Sequence, residues 1–155
     1  MTSPPSHSSR PLVGAHGLVL MLDGAYSYAR VPTGFAVQER LVLARNPYDR
    51  FGHFMQGFVP AIVLRELLRR LGGVGGRLLA WLVIASCLAV SASYELIEFA
   101  AAMMPGQGAD EFLGTQGDPW DTQWDMLMRL VGALAALALL GRTHDRQIAR
   151  LPLRH

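Results

Sequence analysis

Three stretches of this 155-residue sequence carry polar and ionisable side chains at helical spacing. Asp49, His53 and Gln56 form one set, Ser91, Glu95 and Glu98 a second, and Asp121, Asp125 and Arg129 a third. On an α-helix these spacings put each set on one face. Arg50 adjoins the first set and Asp118 precedes the third, so both count among the pocket candidates. A histidine among several carboxylates can hold a divalent metal ion: oxygen donors favour Mg, Ca or Mn, and the imidazole admits Zn. His53, Glu95, Glu98, Asp121 and Asp125 are the candidate ligands. The same groups can instead neutralise one another, Asp125 or Glu95 with Arg129 or Arg50 and His53 with Asp49, as a structural ion-pair network. Such spacings occur on helices in general and do not choose between the two.

Positioning these sets requires helices, and composition indicates their surroundings. Apolar residues make up 51% and charged residues 17%, a low charge fraction for a water-soluble domain. The fourteen basic residues are all arginines. They are scattered, with no aromatic-basic stripe, so a nucleic-acid partner is excluded. Cys87 is alone and lies in an apolar run, which suits a small buried hydrophobe. It can form no internal disulfide.

The Ser/Pro-rich start, residues 1–10, reads as a disordered tail. Twelve uncharged residues follow, from Pro11 to Leu22, short of the roughly 20 that span a bilayer. Arg10 before that run and "SYA" after it would fit a secretory signal, against which stands the long, mostly uncharged leader. "FAVQERLVLAR" reads as a short amphipathic helix, at a membrane surface or packed on a protein. Fourteen uncharged residues separate Arg50 from Arg65; a span there needs Arg65, Arg69 and Arg70 to snorkel and a helix that continues through Pro60. "LGGVGG" is a turn. Leu78 to Tyr94 adds seventeen uncharged residues, the clearest span. The last span runs from about Asp121 to Gly141 and must accommodate Arg129, paired with an acid. The expected architecture is all-α: a membrane bundle of about four hydrophobic helices plus one interfacial amphipathic helix. A single membrane domain covers 11–142, and a basic cytoplasmic tail covers 143–155.

A soluble bundle is the alternative, and charge layout argues against it. Arg65, Arg69, Arg70 and Arg77 cluster at one turn, and Arg142, Arg146, Arg150 and Arg154 follow the last span. The intervening loop has Asp110, Glu111, Asp118, Asp121 and Asp125 with no arginine. By the positive-inside rule the C-terminus is cytoplasmic and loop 105–120 is outside, with Trp120 and Trp124 at the outer interface and Trp81 near the inner one. Arg30, Arg40, Arg45 and Arg50 run against the rule, partly offset by Glu39 and Asp49. In that topology the three polar sets share one depth beneath the outer surface. Ionisable groups at membrane depth face a bundle interior or a cavity, so convergence on one pocket is expected.

Other chemistries fail on their residues. "YELIE" lacks the histidine of a di-iron carboxylate motif. No GxSxG surrounds Ser91, which fits helix packing instead. "LGGVGG" has no following GK[ST] and is not a phosphate loop. His16 reads as a packed histidine; His7, His144 and His155 read as solvated tail residues.

"RNPYDRFGHFMQGFVPAIVLRE", "SYELIE" and "GQGADEFLGTQGDPWDTQWDM" resemble the YjdF-like family of bacterial inner-membrane proteins, a family without established function. The resemblance covers about Leu20 to Leu140 and implies a polytopic protein of the cytoplasmic membrane. A fainter likeness, to the VanZ-like membrane proteins, rests on a "D…HF" helix followed by an acidic helix and a "D" helix. Two departures stand out. The Ser/Pro-rich start replaces further hydrophobic segments of the family, so Leu12 to Leu22 reads as the remnant of a longer span. Ala25 stands where the family pattern tends to have histidine, which removes one potential pocket member. The functional expectation is an inner-membrane protein with a His/carboxylate pocket near the outer leaflet, binding an ion or a lipid headgroup. The alternative is a metal-dependent membrane enzyme acting on a lipid or cell-envelope substrate. A channel is disfavoured, because the polar residues crowd one end.

Overall fold

A computed structural model describes residues 9–26, 30–103 and 117–149. The tail up to residue 8, the "SYA" segment, Asp110, Glu111, Arg150 and Arg154 lie outside the described residues. Among the described residues there are five α-helices and no strand: α1 (Ser9–Tyr26), α2 (Pro32–Leu41), α3 (Tyr48–Gly72), α4 (Gly76–Ala102) and α5 (Asp121–Ala149).

Each helix begins and ends for local reasons. Helix α2 starts three residues before the expected amphipathic stretch, because Pro32 supplies a preset first-turn φ. It ends on Val42 in the left-handed region at φ 52°. Helix α3 continues through Pro60 and stops at Gly73, whose φ of 61° suits glycine. Gly76, at φ 59°, reverses the chain into α4. Helix α5 does not stop at Gly141; the first residues of the expected basic tail continue it to Ala149.

Among the described residues two helices, α4 and α5, are long and apolar enough to cross a membrane. Helix α3 has the length, but Asp49, Arg50, Arg65, Glu66, Arg69 and Arg70 interrupt its apolar surface. The apolar run within α1, Pro11–Leu22, is shorter than a span.

Helices α3 and α5 run in the same direction, with α4 reversed beside them. His53 meets Asp125 near one end, and Arg65 meets His144 and Asp145 near the other. Midway the two backbones touch. A Cβ at Gly57 would overlap the Arg129 carbonyl, and one at Gly132 would overlap the Phe54 carbonyl. Small residues allow this approach, as they do in membrane helix pairs generally. An apolar core of Ala61, Ile62, Leu79, Val83, Ala133 and Ala136 fills the middle.

The distribution of side chains is inverted relative to a water-soluble domain. Among the described residues the interior holds ten hydrophobic and ten polar or charged residues, while thirty large hydrophobics are exposed. Trp81, Leu96, Ile97, Phe99 and Leu139 are each more than 60% exposed. A patch of such extent is unfavourable in water; in hydrocarbon it carries no penalty. The soluble-bundle alternative therefore fails.

Candidate functional site

The site begins in the loop between α2 and α3. Asn46 is fully buried; its Nδ2 donates to the Val31 carbonyl at 3.2 Å, and its Oδ1 accepts from the Tyr48 N–H at 3.0 Å. Its side chain lies against Gly34, where a Cβ has no room. This fastening sets the direction of Arg45 and of the first turn of α3. On the opposite side, Asp118 Oδ1 accepts from the Trp120 N–H at 2.9 Å and shapes the turn that leads into α5.

Arg45 ties the start of α3 to the start of α5. It donates to Asp121 Oδ1 at 2.6 Å, to Asp49 Oδ2 at 2.8 Å and to Asp118 Oδ2 at 3.3 Å. Burial opposes its charge, but the Asp121 hydrogen bond and the charges of Asp121, Asp49 and Asp125 lift its pKa above the ordinary arginine value. Arg50 donates to Asp118 at 2.8 Å and lies over the Trp124 ring, 4.6 Å from its centroid, a cation–π geometry. The Trp120 N–H, then the Arg50 and Arg45 charges, hold the Asp118 carboxyl below the usual aspartate range.

Beneath Arg45 lies the histidine centre. His53 Nε2 is 3.2 Å from Asp49 Oδ1 and 3.4 Å from Asp125 Oδ2. All three residues are buried, and one ligand atom from each falls within 4.8 Å of the others. Asp125 Oδ1 is buried with no hydrogen-bond partner among the described residues. The glycine contacts one turn further along bring α3 and α5 close enough for His53 and Asp125 to meet.

Arg129 forms the floor. It donates to Gln56 Oε1 and Ser91 Oγ, each at 2.9 Å, and to Glu95 Oε1 at 3.0 Å. Ser91, fully buried, is thus an acceptor as well as a packing residue.

The three polar sets therefore meet at one end of the bundle, divided into subsites. Of the five candidate metal ligands, His53 and Asp125 stand together, joined by Asp49. Glu95 is engaged by Arg129 and Asp121 by Arg45. Glu98 instead opens on a neighbouring cavity with Gln56 and Arg129. The expected Glu95–Arg129 and His53–Asp49 pairs are present, whereas Arg50 chooses Asp118. Arg45 was missed as a site residue, although its i,i+4 spacing to Asp49 is visible in the sequence.

A second cluster lies at the opposite end and corrects two expectations. His144 is no solvated tail residue: it is fully buried, with Nδ1 3.3 Å from Arg65 Nη1 and Nε2 3.4 Å from Glu66 Oε2. Arg65 does not snorkel; it is buried and donates to Asp145 at 2.6 Å. Arg69 also pairs with Asp145, and Arg70 with Glu66 at 2.8 Å. The continuation of α5 past Gly141 carries His144 and Asp145 to this position.

Apolar outside, with its charges gathered inside, the chain is a helical membrane protein. Residues 6–146 match the family described as "Predicted membrane protein (DUF2238)", and the chain belongs to that family. It is 57% identical over 143 residues to the "Inner membrane protein YjdF" of Escherichia coli (strain K12), covering 92% of this chain and 68% of the relative. No solved structure matches.

Proposed function

We propose that the chain is a multi-pass protein of the bacterial inner membrane that binds one divalent cation between Asp49, His53 and Asp125. The observation that carries this reading is the buried Asp125 carboxylate, with Oδ1 unpartnered among the described residues and an imidazole and second carboxylate beside it. Leaving such an acceptor dry and unpaired costs about 1–3 kcal/mol or more when charged, which a bound ion recovers. The surrounding charge supports the same reading: at this end the carboxylates of Asp49, Glu95, Asp118, Asp121 and Asp125 outnumber the guanidiniums of Arg45, Arg50 and Arg129. Two oxygen donors and one nitrogen suit Mn or Zn, with Mg and Ca less favoured by the imidazole.

The ion would sit beneath the outer surface. Arg65, Arg69, Arg70, Arg77, Arg142 and Arg146 occupy the far end of the bundle, which supports a cytoplasmic assignment for that end by the positive-inside rule. Helices α1 and α3 would join α4 and α5 as spans, α3 carrying its charges inward, and α2 would lie at the interface. Reporter fusions after Gly108 and after Arg146 should read opposite sides, the second cytoplasmic; both reading cytoplasm overturns this topology.

Metal content tests the site. Purified protein exposed to Mn or Zn and then desalted should keep one equivalent per chain, lost in both Asp125→Asn and His53→Ala. Wild type that retains none of Mg, Ca, Mn or Zn, or variants that retain the full equivalent, would refute the cation.

A further inference from the structure

We propose that the neighbouring cavity between α1, α3 and α4, which Arg129 of α5 also lines, binds the primary-ammonium headgroup and upper acyl chain of an aminophospholipid. The cavity measures about 280 Å³. At about 30 Å³ per water-sized group it holds a small headgroup and the start of one chain, not two whole chains.

Its polarity is graded along the bundle. On α3 the lining passes from Gln56 to Pro60 and Leu64; on antiparallel α4 it passes from Glu98 and Tyr94 to Val90 and Cys87. Both walls therefore turn from polar to apolar in the same direction, away from the end that carries the histidine centre. A lipid of the adjacent leaflet has that polarity in that orientation.

The polar end selects the headgroup. Glu98 makes no hydrogen bond or ion pair among the described residues, because the neighbouring Arg129 is taken by Glu95, Gln56 and Ser91. An anionic headgroup would meet the Glu98 carboxylate with no uncommitted cation to receive it. Buried His16 Nδ1 likewise has no partner among the described residues, and as the unprotonated nitrogen of a neutral ring it can accept a hydrogen bond. One carboxylate and one imidazole, with no third ligand gathered around them, are too few for a metal centre; the described residues hold a three-ligand grouping only at Asp49, His53 and Asp125. An ammonium needs no more: an N–H donor for Glu98, with His16 a second acceptor in the same lining.

The test uses the full-length chain in detergent, exchanged into an equimolar mixture of phosphatidylethanolamine, phosphatidylcholine and phosphatidylglycerol and examined by native mass spectrometry. Phosphatidylcholine shares the positive charge but has no N–H donor. Wild type should retain one phosphatidylethanolamine at least tenfold more often than either competitor. Glu98→Gln, which removes the charge, and Leu64→Trp, which fills the apolar end, should abolish that preference, while His53→Ala should keep it. Equal retention of phosphatidylcholine, preference for phosphatidylglycerol, or an unchanged preference in Glu98→Gln overturns the proposal. The wild-type comparison decides even where a variant fails to fold, and the outcome for His53→Ala separates this site from the cation site.

Discussion

Replacing Arg129 by Met tests whether the buried ion pair on the floor of the site holds the helices together. Arg129 is 4% exposed as a residue and bonds to Gln56, Ser91 and Glu95 at 2.9, 2.9 and 3.0 Å. Interhelical side-chain hydrogen bonds in membrane proteins average about 0.6 kcal/mol each, so losing those to Gln56 and Ser91 costs at least about 1 kcal/mol. Leaving the Glu95 carboxylate, 9% exposed, without its partner costs more, about 3–5 kcal/mol for a broken buried pair. The expected total of about 4–6 kcal/mol is roughly three to four powers of ten in the unfolding constant. The double variant Arg129→Met/Glu95→Met removes both charges and should cost less than Arg129→Met alone, because replacing a whole buried pair by apolar residues is often neutral. Equilibrium unfolding of each protein by SDS titration in mild detergent measures these differences. A loss below about 1 kcal/mol for Arg129→Met, or a double variant at least as unstable as that single one, would refute the reasoning.

Alanine at Gly57 or Gly132 should destabilise by about 1–3 kcal/mol, since the added Cβ meets backbone carbonyls that cannot swing aside. Alanine at Gly14, in α1 with open space around it, should be neutral or stabilising by up to about 1 kcal/mol; the same unfolding titration separates the three. Val42→Gly should stabilise by roughly 1 kcal/mol by removing a β-branched residue from φ 52°, again read as a shifted midpoint. The Asp118 carboxyl lies below the usual aspartate range when folded, so its contribution is complete above the unfolded pKa and is lost as pH falls through the folded one. The stability difference between wild type and Asp118→Asn should therefore shrink on acidification; a difference that grows toward low pH contradicts that sign.

The polar helices were legible because their residues repeat at helical spacing and because charged groups in a largely apolar chain have few places to go. Asp49–His53 and Glu95–Arg129 follow from that reasoning. The division into subsites does not, because it depends on which guanidinium reaches which carboxylate first. Arg45 outcompetes the metal reading at Asp121 from a loop position that Asn46 fixes through Val31 and Gly34, a tertiary device with no periodic signature. His144 was hidden for a different reason. Charged residues near a chain end resemble a solvated tail, and only the unbroken continuation of α5 past Gly141 turns them inward against Arg65 and Glu66. The contact between Gly57 and the Arg129 backbone was also invisible, since nothing in the sequence pairs a glycine on α3 with a position on α5.

That contact explains why one end can carry so many charges. Helices α3 and α5 run in the same direction, so their aligned dipoles do not cancel, and both N-termini point at the acidic end. Helix N-termini favour negative charge by about 0.3–1 kcal/mol each at exposed positions and by more where partly buried. Asp49 lies in the first turn of α3 and Asp121 in that of α5. The glycine contacts hold these two N-termini side by side, so their positive ends add at the place where Asp49, Asp121 and Asp125 collect. At the far end the C-terminal halves meet Arg65, Arg69 and Arg70, the complementary sign. An antiparallel α3–α5 pair would set each acidic terminus against the other's basic one and disperse the excess negative charge. The parallel arrangement concentrates it around His53, where a cation has the most to offset.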